Sequence, residues 1–590
     1  MGSFGSLSIG VSGLNISQNA LNTTAHNLAN IDTQGYVRQQ IVLKDFGYVR
    51  WGENHLTTLQ KGLGVDFLAV KQVRDTFLDK AFRQESGREA YYDVQYQVVS
   101  EIEGLFDELE GVTFQDTIKD LWESIQELAK EPDGIVPRSS FVLSASSFIE
   151  RAENIQGQLK KYQLSLNTKV KDMVERINEI GEEIKTLNYS IRHNESNGVE
   201  NANDLRDQRN LLLDELGKLV NITYSENTDG MVTVNVEGTT FITEDKVFHM
   251  DVAKDNPGSD ILVPVWTSHK GAKVFNFNRV PSSEANTDIG NLKGLLIAMG
   301  VGHANYTDIP TRLTPEGENL INDENYKKKL EEYNLRTAPS AIMSVQAEFD
   351  RLIHGVVTMI NDVLCPNKTI TLSDGSQIMI LDEDKAPITV NGDKGIELFT
   401  RKSMGRYERK ELVDGTGNPL VDGDGNPLVD EDGNPIWAYV YNEEIETDNY
   451  SLYTLGEIEI NHLILEDYAN IALSSNSGTG DNDIDAINAL ISKWQEPFAT
   501  LTPNTLTDYN ITGYYNAFMS SLANRGEQYY SISTDQATMV AGIDNKRMEI
   551  TAVSSDEELT NLIKFQHSYN AAARYVNVID EMLEHIIMRL

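Results

Sequence analysis

The chain has 590 residues, and its 90 Asp and Glu residues outnumber its 50 Lys and Arg residues, so its formal net charge is −40. This charge excludes binding of nucleic acid through a basic surface, which requires clustered Lys and Arg to release counterions. It also argues against docking on anionic lipid. The single cysteine, Cys365, excludes a disulfide framework or a Cys-based zinc site within one chain. No segment is apolar over the length that membrane insertion of a helix needs.

Both ends of the chain carry apolar residues spaced three and four apart, which is the pattern of a heptad seam. Such a seam buries one helix face against a partner, because a lone helix of this kind is marginal in water. We therefore expect the two ends to pair with each other and with neighbouring subunits. An ordinary amphipathic core helix is the alternative for either end taken alone. The residues predicted to pack are Leu7, Val11, Leu14, Leu21, Leu28, Leu562, Phe565, Tyr569, Val576, Ile579 and Leu583.

The first half of the chain is predicted to be mostly helical. Residues 31–73 carry loop signals and short alternating stretches, which predict loops and a hairpin. Helical periodicity follows in residues 74–106 and 114–129, and the longest periodic segment runs from Ile155 to Ile191. At 1.5 Å per residue, that segment predicts a helix of about 60–70 Å. Asn203 and Asp204 are then suited to cap a further helix.

The second half alternates between β structure and helix. Alternating Val and Thr residues predict strands from 221 to about 281, and helical periodicity returns in residues 292–299 and 341–364. A second β-rich stretch covers residues 366–455, and helices resume from about 467.

The second β-rich stretch contains an octapeptide repeat, LVDGTGNP, LVDGDGNP and LVDEDGNP, from Leu412 to Pro435. Between residues 411 and 450 there are 11 acidic residues and no Lys or Arg. Its Asp-Gly and Asn-Pro pairs are strong turn signals, so we predict serial β-turns or a small hairpin ribbon at a solvated tip. Calcium is a weak alternative there. Three residues match the first ligand positions of a calcium loop, but Pro follows where an EF-hand needs Gly, and no helix flanks the loop. These calcium candidates are Asp422, Asp424 and Asn426.

These elements predict an elongated α+β multidomain fold in which the chain folds back on itself. A terminal-helix coiled coil and a long-helix bundle domain are expected, with β-rich outer domains inserted in the middle. The expected units are an inner coiled-coil domain of residues 1–60 and 552–590, a helical-bundle domain of residues 61–220, 285–365 and 456–551, a β-rich outer domain of residues 221–284 and an acidic outer insert of residues 366–455. The sequence has no zinc-protease, nucleophile-elbow, Walker A or dinucleotide-binding signature, so no enzyme activity and no cofactor are expected.

The segment ANIDTQGYVRQQ, residues 29–40, directly follows the first heptad helix. Asn30 and Gly35 are suited to stop a helix and turn the chain. Tyr36 can pack, and Arg38 with Gln39 can form hydrogen bonds across an interface. Taken alone, the segment describes a helix C-cap and a loop. Its residues Asn30, Thr33, Gly35, Tyr36, Arg38 and Gln39 resemble the N-terminal signature of the bacterial flagellar axial proteins, the rod, hook and hook-associated family.

Further segments narrow this resemblance to the hook-associated members of the family. They are GLGVDFLAVKQVRDTFLDKAFR (62–83), ANDLRDQRNLLLDEL (202–216), GDNDIDAINAL (480–490) and the tail at 554–587. The resemblance covers about residues 1–220, 285–365 and 455–590. The β-rich middle, including the repeat, follows no pattern of the family.

The resemblance implies a structural adaptor that joins the flagellar hook to the filament. It implies export through the flagellar type III apparatus without a cleaved signal peptide, and folding at the growing tip, outside the cell. The implied partners are further copies of the chain in a ring or helical layer, the hook protein, a second hook-associated junction protein and an export chaperone bound to the C-terminal helix. Another axial protein of hook or distal-rod type is the alternative, although the long helix argues against it. Calcium-dependent adhesion through the outer insert is a further, weaker alternative.

Overall fold

The structure, a computed structural model, describes residues 2–54, 57–106, 113–196, 201–312, 319–414, 417–430, 433–474 and 484–589. Residues 480–483 of the GDNDIDAINAL segment, and residues 415, 416, 431 and 432 of the repeat, therefore lie outside the described residues. The described helices are α1 Gly2–Ala29, α2 Thr76–Phe106, α3 Phe114–Leu128, α4 Ile135–Glu195, α5 Asn203–Leu219, α6 Asn291–Met299, α7 Glu324–Glu332, α8 Ala341–Leu364, α9 His462–Glu466, α10 Asp485–Gln495, α11 Ile511–Thr551 and α12 Ser555–Arg589.

The described strands are short and pair only with antiparallel neighbours. They are β1 Gln39–Asp45, β2 Tyr48–Asn54, β3 Thr57–Gly62, β4 Val65–Gln72, β5 Ile222–Glu226, β6 Val232–Val236, β7 Thr239–Ile242, β8 Met250–Lys254, β9 Leu262–Trp266, β10 Ala272–Lys273, β11 Asn367–Thr371, β12 Gln377–Leu381, β13 Phe399–Arg401, β14 Tyr407–Glu411, β15 Trp437–Tyr441, β16 Ile458–Ile460, β17 Ala499–Thr500 and β18 Asp508–Tyr509.

The inner part of the fold is built from both ends of the chain. Helices α1 and α12 pack antiparallel, and α2 packs in the same way on α11. The predicted hairpin after α1 is a nested pair of hairpins, in which β1 pairs with β4 and β2 pairs with β3. Strands β1 and β4 also lie against α1.

The main hydrophobic core lies where α2, α3, α4, α8 and α11 meet. Four buried rings form its centre, because the ring of Phe106 packs edge-on against Phe349 and Phe518 at 5.2 Å, and Phe114 packs against Phe349 at 5.0 Å. Edge-to-face packing at these separations is the geometry that aromatic pairs prefer. The core thus joins helices from both halves of the chain.

Helix α4 starts 20 residues earlier than the periodicity from Ile155 predicts, and its 61 residues span about 90 Å. Pro137 lies in its first turn, where the missing N–H costs no hydrogen bond. Residues such as Phe141 and Phe148 carry the buried face back to that turn. The long helix was correct, but its predicted start was wrong.

The predicted cap of α5 was also wrong. The N-cap residue is Ala202, whose backbone N–H donates to the Glu195 carboxylate at 2.8 Å. Asn203 lies inside the helix, and its side chain donates to the carbonyl oxygen of Val70 at 3.1 Å. This contact fastens α5 to strand β4.

The outer β structure forms small separate sheets, with strand orders β5-β6-β7, β10-β9-β8 and β11-β12-β15-β14. Between β14 and β15 the repeat forms the predicted serial turns, because each Val of the repeat bridges to the Pro that closes the same turn. The turns form a closed ring of backbone hydrogen bonds. Leu420 N–H donates to Leu412, Leu428 to Leu420, Ile436 to Leu428 and Leu412 to Ile436, at 2.7–3.2 Å.

Candidate functional site

The contact between α1 and α12 is the first half of the candidate site. The face of α1 that is most buried carries mainly small and polar residues, namely Gly10, Ser17, Ala20, Thr24 and Asn27. Gly10 allows the closest approach, because a Cβ atom added there would lie 2.8 Å from Cγ2 of Val576. Small residues let two helix backbones come close together, so this face sets the spacing of the pair.

The predicted packing residues divide into two groups. Those on α12 lie on its least exposed face, with Ile579 buried and Leu562, Phe565, Tyr569, Val576 and Leu583 half-buried. Those on α1 flank the small-residue face, with Leu7, Leu14, Leu21 and Leu28 half-buried and Val11 43% exposed. The single chain therefore covers the predicted seam of α12 more fully than that of α1. Packing between subunits stays a prediction for all of these residues.

A second apolar stripe on α12 remains exposed in the single chain. Neighbouring residues of the stripe are three or four positions apart, except for one gap of twelve between Ile563 and Tyr575. These spacings place them on one half of the helix. They are Leu559, Ile563, Tyr575, Val578, Met582 and Ile586, each between 44 and 59% exposed. We call these residues the α12 outer stripe. Leu559 and Ile563 form one exposed apolar group and the other four residues a second, and exposed apolar surface of this kind marks interaction sites.

The loop after α1 ends the helix and turns the chain. The side chain of Asn30 donates to the carbonyl oxygen of His26 at 3.0 Å, and Thr33 Oγ1 donates to Oδ1 of Asn30 at 3.2 Å. Gly35 follows with φ +78°, in the left-handed region where side chains are strained. A Cβ atom at Gly35 would lie 2.5 Å from Leu211, so the loop approaches α5 closely.

Asn27, in the last turns of α1, organises this loop and was not predicted. Its Oδ1 accepts hydrogen bonds from Tyr36 Oη at 2.8 Å and from Gln39 N–H at 3.0 Å. Its Nδ2 donates to the carbonyl oxygen of Gln39 at 2.9 Å and to Glu558 Oε2 at 3.1 Å. Burial, and the nearby carboxylates of Asp204 and Asp207, raise the pKa of Tyr36, so its hydroxyl remains a donor. One buried amide thus connects α1, β1 and α12.

Arg38 connects the same loop to the beginning of α12. Its Nε lies 2.9 Å from Glu558 Oε1, and its Nη1 lies 2.9 Å from Glu557 Oε2. Its backbone N–H donates to Thr551, the last residue of α11, at 2.8 Å. The side chain of Glu558 is only 3% exposed, so its charge depends on these donors. The predicted hydrogen bonding of Arg38 therefore reaches the opposite end of the chain.

Asp207 on α5 receives the other side of the loop. Its carboxylate accepts from Val37 N–H at 3.1 Å and from Gln72 Nε2 at 2.7 Å. Gln39, a residue of the predicted motif, donates from Nε2 to the neighbouring Asp204 at 2.9 Å. Loss of hydration raises the pKa of Asp207 to about 7. The contacts of Asp207 attach the loop and strand β4 to the helical bundle.

A buried ionic cluster continues from this point into the bundle. Arg74 Nε lies 2.5 Å from Asp79 Oδ2, and Arg83 Nε lies 2.6 Å from Asp214 Oδ1. Arg547 on α11 joins both acids, since its Nη1 lies 2.7 Å from Asp214 Oδ2 and 3.8 Å from Asp79 Oδ1. Helices α2, α5 and α11 are thereby connected. We call the network from Asn27, Tyr36, Arg38 and Glu558 through Asp207 to this cluster the joint.

Of the joint, the sequence pointed only to Tyr36 and Arg38. The other motif residues, Asn30, Thr33, Gly35 and Gln39, lie in the adjoining loop and the start of β1, and the partners Asn27, Asp207 and Glu558 were missed. One sequence feature could have indicated two of the missed partners. Asn27 and Glu558 are polar residues within helices that were predicted to pack along apolar seams. A polar residue at such a position often specifies register.

The calcium candidates lie in one turn of the repeat. Asp422 Oδ1 accepts from the N–H groups of Asp424 at 3.1 Å and Asn426 at 2.7 Å, and these hydrogen bonds hold the pKa of Asp422 below its usual range. Its carboxylate therefore already closes the turn. Among the described residues, no group of three or more His, Cys, Asp or Glu side chains is placed to hold a metal. None of the described helices has both the length and the hydropathy to cross a membrane.

Comparison with known proteins finds three family profiles that match separate segments of the chain. The profile of the flagellar hook-associated protein FlgK helical domain matches residues 99–309. The flagella basal body rod protein profile matches residues 7–36, and the flagellar basal body rod FlgEFG protein C-terminal profile matches residues 545–589. The last two matches cover the two sides of the α1–α12 pair.

Curated relatives are similar over nearly their full length. The chain is 25% identical over 586 residues to flagellar hook-associated protein 1 of Bacillus subtilis, covering 97% of this chain and 96% of the relative. It is 20% identical over 602 residues to flagellar hook-associated protein 1 of Escherichia coli, covering 98% of both chains.

One solved structure supports the fold. The flagellar hook junction protein FlgK from Burkholderia pseudomallei aligns with a TM-score of 0.50 and 13% identity, over 81% of this chain and 100% of that one. At this identity the likeness concerns the fold alone. The family consists of structural flagellar proteins, not enzymes. The three profiles in order, the full-length relatives and the shared fold together make the chain similar along its length to flagellar hook-associated protein 1.

Proposed function

We propose that this protein is a structural adaptor of the bacterial flagellum that joins the hook to the filament and catalyses no reaction. The observation that carries the proposal is the antiparallel α1–α12 pair, which leaves the α12 outer stripe exposed. A surface helix with apolar residues on two sides needs a second partner. Further copies of the pair, arranged in a ring or helical layer, would supply it.

The partners that the resemblance implies fit this arrangement. Terminal helix pairs of the hook protein on one side, and of a second hook-associated junction protein on the other, would continue the same tube. Before assembly the α12 outer stripe would need cover, which supports an export chaperone that binds α12. The protein would act outside the cell after type III export without a cleaved signal peptide.

The joint has a mechanical role in this proposal. It connects the terminal pair to the helical bundle. We assign the terminal pair, with β1, β2 and most of β3, to the inner domain of residues 1–60 and 552–590. Because its hydrogen bonds and ion pairs link α1, α2, α5, α11 and α12, a load on the terminal pair would pass to the bundle through many contacts. The outer domains, residues 221–284 and 366–455, would then project away from the tube.

Electron microscopy of flagella from a strain without the gene tests the proposal. We expect hooks that carry no filament, and complementation with the intact gene should restore the filaments. Normal filaments on the deletion strain would overturn the proposed adaptor role.

A further inference from the structure

A large cavity lies outside the joint, beside the buried helix α8. Its volume is about 940 Å³, and its walls come from α7, α8, the end of α10 and the loop after β15. Part of the wall is apolar, with Pro310, Met359, Val363 and Phe498 among its residues. A volume of this size is typical of small-molecule sites, and the remainder of the wall carries ionisable side chains.

Every acidic side chain in this wall already has a hydrogen-bond or ion-pair partner among the described residues. Asp323 caps α7 by accepting from the N–H groups of Asn325 and Tyr326. The other acids form ion pairs: Glu496 with Lys493 at 2.8 Å, Glu446 with Lys329 at 2.5 Å, Asp362 with Arg406 at 2.5 Å and Glu444 with His354 at 3.3 Å. The wall lysines and His354 are therefore engaged as well.

Arg351 is the exception in this wall. It is only 7% exposed, and its Nη1 is buried with no hydrogen-bond partner. No described carboxylate oxygen lies within 4.0 Å of its guanidinium nitrogens. A buried guanidinium without an anion is unfavourable, because the lost hydration is not replaced. The cavity wall thus holds a positive charge that no described carboxylate contacts at ion-pair distance, and only the more distant Asp508 and Glu348 carboxyls act on it electrostatically.

Glu348, one turn before Arg351 on α8, does not neutralise this charge fully. Its Oε1 also lacks a hydrogen-bond partner. Burial raises the pKa of Glu348 to about 7, so a large fraction of this carboxyl is protonated near neutral pH. An anion that reached the guanidinium from the cavity would therefore find Nη1 without another hydrogen-bond partner.

We propose that this cavity binds a small organic carboxylate with an apolar body, whose charged group pairs with Arg351 and whose apolar part contacts Met359, Val363 and Phe498. A guanidinium offers a carboxylate two parallel hydrogen bonds. The ligand carries a single charge, because the wall has one free cation among its described residues and five acids that would repel a polyanion.

Isothermal titration calorimetry with octanoate on the full chain tests the site, with octanol as the uncharged probe. We expect saturable octanoate binding by the wild-type chain and much weaker binding of octanol. Arg351→Met should weaken octanoate binding at least about tenfold, since the charge-assisted hydrogen bonds are lost. Arg336→Met is the matched control, because Arg336 is exposed and pairs with Glu332 on the surface. It should bind octanoate as the wild type does.

Two further variants separate a site from an effect on folding. Met359→Trp keeps Arg351 but fills the cavity, so it should also weaken octanoate binding. Arg351→Met should leave the melting temperature unchanged or raise it, because it removes an unpaired buried charge. A lower melting temperature would show that Arg351 has a structural partner, and would overturn the proposal.

The remaining outcomes are equally decisive. No octanoate binding by the wild type at millimolar concentration, or equal binding by Arg351→Met, would overturn the proposal. The sequence between Arg312 and Asn319 also contains Glu316 and Glu318. Tighter octanoate binding after Glu316→Gln and Glu318→Gln would identify the chain's own carboxylates as the occupant. Unchanged binding in that double variant supports an external ligand.

Discussion

Arg38 Nε lies 2.9 Å from Oε1 of Glu558, and this ion pair joins the loop after the first helix to the first turn of the last helix. The two residues are 520 positions apart in the sequence. Their contact fixes where the terminal pair meets the bundle.

Loss of this ion pair should loosen the terminal helices. In Arg38→Met the Glu558 carboxylate stays buried with fewer donors, so we expect about 2–3 kcal/mol of local destabilisation, less than for a fully buried pair because Arg38 is 29% exposed. Hydrogen exchange in the first turns of α12 should accelerate accordingly. Glu557→Gln is the control, since Glu557 is 62% exposed and should change exchange by less than about 0.5 kcal/mol. Equal effects of the two variants would contradict a special role for Glu558.

The small-residue face of α1 can be tested with two glycines of the same helix. Gly10→Ala should destabilise the α1–α12 pair by about 1–3 kcal/mol, because the new Cβ would lie 2.8 Å from Val576. Gly5→Ala should instead stabilise α1 by about 0.5–1 kcal/mol, since nothing lies within 4 Å of its added Cβ and Ala favours helix. Exchange protection of α1 measures both effects. Opposite signs are expected, and equal signs would refute the close approach at Gly10.

The turn at Gly35 should not tolerate a side chain. Gly35→Ala places a Cβ at φ +78° and 2.5 Å from Leu211, and the left-handed conformation alone costs about 1 kcal/mol or more. Leu211→Ala removes the steric overlap but not the backbone strain. The double variant should therefore recover only part of the stability lost by Gly35→Ala in urea unfolding. Full recovery would show that the backbone conformation at Gly35 is not strained.

The stability of the free chain should depend on pH through Asp207. Its folded pKa of about 7 lies above the unfolded value of about 3.9, so the folded state holds a proton that the unfolded state has released. Its contribution to stability is full below about pH 4 and is lost as pH rises towards 7, by up to about 4 kcal/mol. The Asp207→Asn side chain does not titrate, so this variant lacks the pH-dependent contribution to stability.

Urea unfolding at pH 4.5 and 7.5 measures this contribution. We expect the wild-type chain to lose more stability than Asp207→Asn between the two pH values, whatever constant offset the substitution adds. Parallel pH profiles of the two chains would contradict the raised pKa.

Heptad spacing predicted that the ends are helical, and the structure pairs them. It did not predict which face of α1 meets α12, because the leucines of a heptad seam are normally the buried residues. Here Gly10, Ser17 and Ala20 are buried instead, since they allow a closer backbone approach. The early start of α4 was missed because the prediction began where the regular apolar spacing begins, at Ile155, and Pro137 is compatible with the first turn of a helix.

The sequence predicted the residues that shape the loop locally but not their partners from distant parts of the chain. Asn30 and Gly35 act within their own turn, so their residue types indicate their roles. Asn27 and Glu558 are 531 residues apart, and nothing local to either residue indicates the other. The role of Asp207 could not be predicted either, because an acidic residue in a charged helix normally faces solvent.

We propose that the terminal pair inserts the protein between hook and filament. The most direct measurement is electron microscopy of flagella from a strain that lacks the gene and expresses the chain without residues 2–30, with the Gly5→Ala chain as control. We expect the control to restore filaments, while the shortened chain keeps the thermal unfolding of its middle domains and leaves the hooks bare. Filaments attached at normal frequency by the shortened chain would contradict the account.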